Sequence, residues 1–330
     1  MPWTGEKDPY KIWLSEIILQ QTRVEQGLPY FKKFVDSFPT VFDLANARED
    51  KVMRLWQGLG YYSRARNLHA TANHIANKLN GKFPDHFEEI IKLKGIGIYT
   101  ASAISSFAFN EVRPVVDGNV IRVISRYFGV RTDPYSNSGK KIFLELAKKV
   151  IDRKNPGVFN QAIMDFGARQ CKPQNPDCMT CPMNPACYAF RNNCVNILPP
   201  KKKKIKQQSR YFHFLLIQNN QRFVLQKRTA EDIWKGLYSL PLIENQSSKK
   251  LNSFSNFNLL KKDLVATSEI KNQLLTHQKI NARFYHFRVS PDWLKKNISV
   301  LKISSMKNLN TFGFPKIIEA YLRELKLLSH

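Results

Sequence analysis

Cysteine is missing from this 330-residue chain except between positions 171 and 194, where all five cysteines lie. Whatever those thiols do, they do it within one short segment. No uninterrupted apolar run approaches the ~18–20 residues that cross a bilayer, so no membrane-spanning helix is expected. The first ten residues, MPWTGEKDPY, lack the apolar core of a secretory signal. A soluble, cytoplasmic protein is therefore expected, in a reducing compartment where clustered thiols stay free. No period of 20–50 residues recurs, which argues against a repeat architecture.

Acidic residues are also scarce. Asp and Glu total 26 against 52 Lys and Arg, a formal net charge of +26. Residues 1–195 hold 27 basic and 18 acidic side chains; residues 196–330 hold 25 and 8. A field of one sign on this scale favours a polyanion, most simply nucleic acid. A chain merely rich in lysine is the bland alternative. Apolar content of 43% and 22 Phe argue for packed cores rather than disorder.

The strongest break is NILPPKKKKIKQQSR, residues 196–210, where two prolines and four lysines read as a solvated basic linker. Ahead of it, PYKIWLSEIILQQTRV, LPYFKKFVDSF, KVMRLWQGL, RARNLHATANHIANKL, FEEIIKL, KIFLELAKKVID and FNQAIMDFGARQC carry apolar residues at helical intervals. Strand-like alternation is nearly absent there, so residues 1–195 read as an all-α domain. After the linker, SRYFHFLLIQNNQRFVLQKR reads as two strands about an Asn-Asn-Gln turn, and NARFYHFRVS as a further strand. KIIEAYLRELKLL reads as a closing helix. Residues 211–330 are thus expected to form an α+β domain with a small sheet.

Cys171, Cys178, Cys181 and Cys187 follow the spacing C-x6-C-x2-C-x5-C on a proline-punctuated loop. Four thiolates so placed can surround one soft metal centre. The spacing differs from the paired C-x2-C knuckles of structural zinc. A zinc knot or two disulfides remain open from the spacing alone; an iron–sulfur cluster is the sharper reading. Cys194 lies too far along to join the set and reads as a bystander.

Residues 93–104, LKGIGIYTASAI, place Gly95 and Gly97 two apart just before a helix. Such a turn aims backbone N–H groups at an anion, for example a DNA phosphate, beside Lys94. By itself a Gly-x-Gly pair is an ordinary turn. About twenty residues on, VRPVVDGNVIRV sets Asp117 and Asn119 in a loop that opens another helix. The glycine turn, the aspartate loop and the four cysteines, in this order, resemble the helix-hairpin-helix DNA glycosylase superfamily. Within it, WLSEIILQQTRV, LGYYSRARNLH, VVDGNVIRV and FNQAIMDFGARQC resemble the MutY family of adenine DNA glycosylases, almost without gaps over residues 1–195.

That resemblance implies the fold, a [4Fe–4S] cluster on Cys171, Cys178, Cys181 and Cys187 within a loop spanning 171–187, and double-stranded DNA with adenine opposite 8-oxo-guanine or guanine as partner. It also implies a monomer that removes the base. Cutting the adenine–sugar bond needs a proton on the leaving base and stabilised charge on the sugar, a task that two carboxyl groups perform in glycoside hydrolysis. Here the pair would be Glu16 and Asp117. Glu16 lies among apolar residues, where burial would keep it protonated as a general acid. The resemblance assigns it the adenine N7. Asp117 would stabilise or attack the sugar, helped by Asn119. A surface glutamate and a turn aspartate are the ordinary readings of each residue alone. Tyr99 stands where strand-cleaving relatives carry the lysine that forms a Schiff base, so base removal without strand cleavage is expected. The base must leave the duplex to react. Gln20, Gln21 and Tyr61 match the family's intercalating and wedge residues, although helix packing is the plain reading of Tyr61.

The C-terminal region resembles the MutT-like (Nudix) domain of the same enzymes, from RFVLQKR and IWKGLYSLPLIE. A working Nudix hydrolase needs carboxylates to hold magnesium. Residues 245–262 contain no acid, so lesion recognition rather than hydrolysis is expected. The family's Phe-Ser-His sensor loop corresponds to Leu275-Thr276-His277, with Thr276 and His277 as the recognition pair. At the N-terminus Thr4 follows Trp3 where the family carries an arginine, which implies a late start or an altered adenine-pocket wall. The alternatives are a related glycosylase acting on thymine or an oxidised pyrimidine, and a DNA-binding homologue without activity.

Overall fold

The computed structural model describes residues 5–200, 207–247, 249–297 and 302–328. Trp3, Thr4 and the lysines at 201–204 lie outside the described residues. Contacts divide the chain into two compact units: Met1–Asn46 with Asn67–Lys204, and Ala47–Arg66 with Ile205–His330.

The helices of the N-terminal half are α1 (Pro9–Leu19), α2 (Val24–Ser37), α3 (Val41–Asn46), α4 (Glu49–Leu55), α5 (Ser63–Lys78), α6 (Phe87–Ile90), α7 (Ile98–Phe109), α8 (Gly118–Phe128), α9 (Asn137–Val150), α10 (Pro156–Arg169) and α11 (Tyr188–Arg191). Local chemistry sets their ends. Asp8 caps α1 by accepting from Tyr10 N at 2.9 Å, with Pro9 at the first helical position. Ser136 caps α9 through Gly139 N at 3.0 Å. Gly129 ends α8 in the left-handed region, φ +71°. The helix expected over FEEIIKL is only four residues long, because the chain turns at once into the glycine hairpin.

In the first unit α1 packs against α2 and α7, and α10 packs against α7 and α8. Trp13, Leu14 and Ile18 of α1 are fully buried. Ala103, Val120, Ile124, Phe143 and Met164 form a second apolar cluster among α7, α8, α9 and α10. The hairpin turn between α6 and α7 requires glycine at one place. Gly95 has φ +81°, and a Cβ there would come within 2.6 Å of Asn67 Cβ.

Among the described residues the second unit is built on an eight-stranded sheet: β1 (Gln208–Asn219), β2 (Arg222–Lys227), β3 (Tyr238–Ser239), β4 (Leu242–Asn245), β5 (Leu264–Thr267), β6 (Lys271–Leu274), β7 (Gln278–Arg288) and β8 (Lys302–Ser305). The main path runs β3-β2-β1-β7-β5, with β4 on β1, β6 on β7 and β8 on β2. β1 and β7 pair in parallel from Gln208↔Gln278 to Gln218↔Arg288. Both faces of this central pair are covered, which explains the unbroken run FHFLLI. On one face Phe254, Leu259 and Leu294 of α12 (Pro291–Asn297) pack on Leu215, Ile217, Tyr285 and Phe287. On the other, Tyr321 of α13 (Lys316–Glu324) stacks on Phe284, with ring centroids 3.9 Å apart. The acid-free stretch 245–262 supplies that first cover with Phe254 and Leu259, both almost wholly buried.

Residues 47–66 share many polar contacts with the C-terminal residues. Lys227 Nζ lies 2.8 Å from Asp50, and Arg54 Nε donates to Asn310 O at 2.7 Å. Arg66 Nη1 donates to Lys235 O.

Candidate active site

Glu16 sits on α1 with 3% of its surface exposed. Burial pushes its carboxyl up to about 7; a hydrogen bond from Tyr99 opposes the rise and the nearby Asp117 charge adds to it. Tyr99, the second residue of α7, has its hydroxyl held well above the usual phenol range, first by burial and then by the charges of Glu16 and Asp117. The same hydroxyl lies 3.9 Å from Met164 Sδ. Three elements distant in sequence thus bring Glu16, Tyr99 and Asp117 into one site.

Asp117 caps α8. Its carboxylate accepts from Val120 N at 2.7 Å and from Asn119 Nδ2 at 2.8 Å. Burial raises its pKa, while those hydrogen bonds and Arg122 pull the other way. The sequence pattern did not single out Arg122. It is 9% exposed and donates to Asn119 Oδ1 at 2.9 Å, Gly167 O at 2.6 Å and Cys171 O at 2.7 Å. Gly167 permits that approach, since a Cβ there would come within 2.8 Å of Asn119 Cβ. Arg126, one helical turn later and 3% exposed, donates to Lys172 O at 2.7 Å, Pro173 O at 3.1 Å and Leu198 O at 3.0 Å. Two arginines four apart in the otherwise apolar run VIRVISRYF were the available signal: buried guanidinium groups need several acceptors.

Cys171, Cys178, Cys181 and Cys187 line one small cavity and form no disulfide. Arg126 Nη1 lies 3.4 Å from Cys171 Sγ. Among the described residues no three His, Cys, Asp or Glu side chains are arranged around a single ion. Four free thiols lining one cavity are a donor set suited to soft iron, and the neighbouring guanidinium would offset the negative charge of thiolates. Cys194 is buried among Ala189 and Leu198, apart from that cavity's lining. Arg169 and Lys172 are exposed beside the loop.

Gln20 and Gln21 lie just past the end of α1. Gln20 Nε2 donates to Thr100 Oγ1 at 3.1 Å, and Gln21 is exposed with φ +55°. Lys94, Gly95 and Gly97 form the exposed turn ahead of α7, and Thr71 Oγ1 holds it by donating to Lys94 O at 2.9 Å.

In the second unit Tyr61 is 41% exposed in a turn whose left-handed residues are Gly58, Gly60 and Tyr61 itself, φ +49°. Its hydroxyl is hydrogen-bonded to Thr276 Oγ1. Thr276 and His277 are exposed in the turn joining β6 to β7, which Leu275 N closes by donating to Gln278 O at 2.8 Å. The two turns line one cavity of about 410 Å3 with Trp234, Lys235 and Lys316.

Residues 14–151 match the HhH-GPD superfamily of base excision DNA repair proteins, and residues 213–324 match a NUDIX domain. An adenine DNA glycosylase of Buchnera aphidicola (subsp. Schizaphis graminum) is 33% identical over 99% of this chain and 94% of its own length. A thermostable thymine-DNA glycosylase structure is similar over 58% of this chain and 88% of its own, at 30% identity and TM-score 0.54. A non-covalent endonuclease III–DNA complex covers 57% of this chain and 86% of its own at 23% identity and TM-score 0.51, a likeness of fold. The thymine-DNA glycosylase matches little more than half of the chain, whereas the Buchnera relative spans both units. The chain belongs to the adenine DNA glycosylase family of the HhH-GPD superfamily.

Proposed function

We propose that this protein is a monofunctional adenine DNA glycosylase that removes adenine opposite 8-oxo-guanine or guanine in double-stranded DNA. Excision of that adenine prevents G·C to T·A transversion. The observation that carries the reading is the convergence of Glu16, Tyr99 and Asp117. A carboxyl raised to about 7 holds a proton at neutral pH beside a second carboxyl held by Asn119 and the α8 N-terminus. Glu16 gives its proton to N7 of the flipped adenine, which makes the base a neutral leaving group. Asp117 then faces the electron-poor sugar and stabilises it, or bonds to it briefly before water completes hydrolysis. Tyr99 has no amine with which to form a Schiff base, so the strand stays intact.

Gln20, Gln21 and Tyr61 fill the space left by the extruded base, and the turn of Lys94, Gly95 and Gly97 takes a backbone phosphate. Thr276 and His277 read the opposite base. Cys171, Cys178, Cys181 and Cys187 hold a [4Fe–4S] cluster. When bound, that cluster supplies iron–thiolate bonds that close the 171–187 loop and set Arg169 and Lys172 for the DNA backbone. The protein works as a monomer in the cytoplasm, with a catalytic domain over 1–195, a linker over 196–210 and a lesion-recognition domain over 211–330. Among the described residues no helix is long and apolar enough to cross a membrane.

Single-turnover assays on duplexes with A opposite 8-oxo-guanine, A opposite G, and T opposite G test the reading. Adenine release from the first two, with no nick before alkali, is expected. Thymine release in preference to adenine would replace it with the alternative specificity, and no release at all would leave a DNA-binding homologue.

A further inference from the structure

We infer that Gln57 is a positioning residue that ties the Tyr61 turn to the C-terminal strap 310–314 and thereby sets the preference for 8-oxo-guanine over guanine. The inference rests on the proposed function. Gln57 is 8% exposed, and its side-chain oxygen accepts from Phe314 N at 2.9 Å and from Arg54 Nη1 at 2.9 Å. Arg54 in turn donates from Nε to Asn310 O at 2.7 Å. One amide oxygen therefore satisfies a buried main-chain N–H that is remote in sequence, and it fixes the arginine that holds the other end of the same strap. Gly313 lies between those two points, where a Cβ would come within 3.2 Å of Met53 O and 3.4 Å of Arg54 N. The strap and the α4 end are in close backbone contact.

The turn begins at the next residue. Gly58, Gly60 and Tyr61 have φ of +93°, +79° and +49°. Neither helix nor ladder hydrogen bonds give such a segment its shape. Its bonds include a main-chain turn bond, Leu59 N to Trp56 O at 3.1 Å, and bonds made by side chains: Trp56 Nε1 to Gly60 O at 3.0 Å, Arg64 Nη2 to Gly60 O at 3.3 Å, and Gly58 N to the Tyr62 hydroxyl at 3.2 Å. These bonds keep the turn rigid without placing it. Placement comes from its root at Gln57 and from Arg66, which donates to Lys235 O beyond the turn. The tip carries the Tyr61 hydroxyl bonded to Thr276. A rigid turn pivoting at its root moves its tip most, so a lost root bond changes the gap between the Tyr61 ring and Thr276. That gap opens on the cavity lined by both turns. Such a shift alters how a lesion is read while leaving Glu16 and Asp117 untouched.

Gln57→Leu keeps the approximate size of the side chain and removes the acceptor. Its single-turnover rate on A opposite 8-oxo-guanine, divided by that on A opposite G, is expected to fall at least tenfold from the wild-type ratio. The rate on A opposite G, which uses Tyr61 but has no lesion for Thr276 to read, should fall by much less than the rate on A opposite 8-oxo-guanine. Gln57→Glu restores the acceptor and should restore the ratio. Gly313→Ala presses on the same contact from the strap and should lower the ratio even if Gln57→Leu fails to fold. An unchanged ratio in Gln57→Leu or in Gly313→Ala, with only a lower Tm, overturns the inference and leaves a structural role. A Gln57→Glu protein as defective as Gln57→Leu overturns it too. Wild-type protein with no 8-oxo-guanine preference overturns the proposed specificity itself, a result visible before any variant is made.

Discussion

Glu16→Gln should abolish adenine excision and at the same time make the stability of the helical unit less sensitive to rising pH than in the wild type. A carboxyl buried on α1 and raised from 4.5 to about 7 keeps its proton in the folded protein after the unfolded chain has lost it. Between those two values the native state binds more protons than the unfolded state, so stability falls as pH rises through that window. The loss is complete above about 7 and absent below about 4.5. At about 1.4 kcal/mol per pH unit, the burden at pH 8 exceeds that at pH 5 by about 2.5 kcal/mol. Glutamine does not titrate, so the variant escapes it. The substituted side chain keeps a carbonyl oxygen for Tyr99 but carries an amide that needs partners of its own; the difference between two pH values cancels that fixed cost. In a unit of this size, Tm moves by about 2–4 °C per kcal/mol. The Tm gap between variant and wild type should therefore widen by roughly 5–10 °C from pH 5 to pH 8, measured by calorimetry on the transition of the helical unit. A gap that stays constant across that range would show that Glu16 is not held protonated by the fold, and the general-acid assignment would lose its physical basis.

The wild-type single-turnover rate should fall as pH rises through about 7, about tenfold per pH unit beyond it, if only the protonated Glu16 is active; a flat profile from 6 to 9 would assign the proton to another group. Tyr99→Lys places an amine beside the flipped sugar and should add strand nicking without alkali, trapped by borohydride as a covalent protein–DNA adduct. Cys178→Ser should lose iron and lower both Tm and DNA affinity more than it lowers the rate at saturating protein. An iron-free variant that binds DNA and unfolds like wild type would remove the structural role of the cluster.

The fold was legible where local pattern and tertiary packing agree. The apolar periodicity of α1, α5, α9 and α10 and the run FHFLLI of β1 marked their elements. FEEIIKL misled by a turn, because helix-forming residues there serve a hairpin that must stop at Leu93 to place Gly95. The grouping of Ala47–Arg66 with the C-terminal residues could not be read at all. It depends on hydrogen bonds from Arg54, Gln57 and Arg66 to carbonyls and an N–H far along the chain, and main-chain groups leave no trace in side-chain sequence.

The site was legible as residue types and not as their protonation states. Sequence names two carboxyls, and only burial and partners decide which one gives a proton. Glu16 lies mid-helix, fully enclosed, with the Tyr99 hydroxyl as the hydrogen bond that favours its charge. Asp117 stands at a helix N-terminus, where Val120 N and Asn119 Nδ2 each bond one of its oxygens and Arg122 adds positive charge through Asn119. Burial raises both groups, but the oxygens of Asp117 are held by donors that favour the anion. Two like groups in one site thus differ in their partners, the difference that the proposed roles of proton donor and anionic stabiliser require. Arg122 ties that difference to the cysteine loop as well, since the same guanidinium bonds Asn119 and the Cys171 carbonyl. The loop that carries the four thiols is therefore linked to Asp117 by a chain of hydrogen bonds: the Cys171 carbonyl holds Arg122, Arg122 holds the Asn119 amide, and that amide holds the carboxylate.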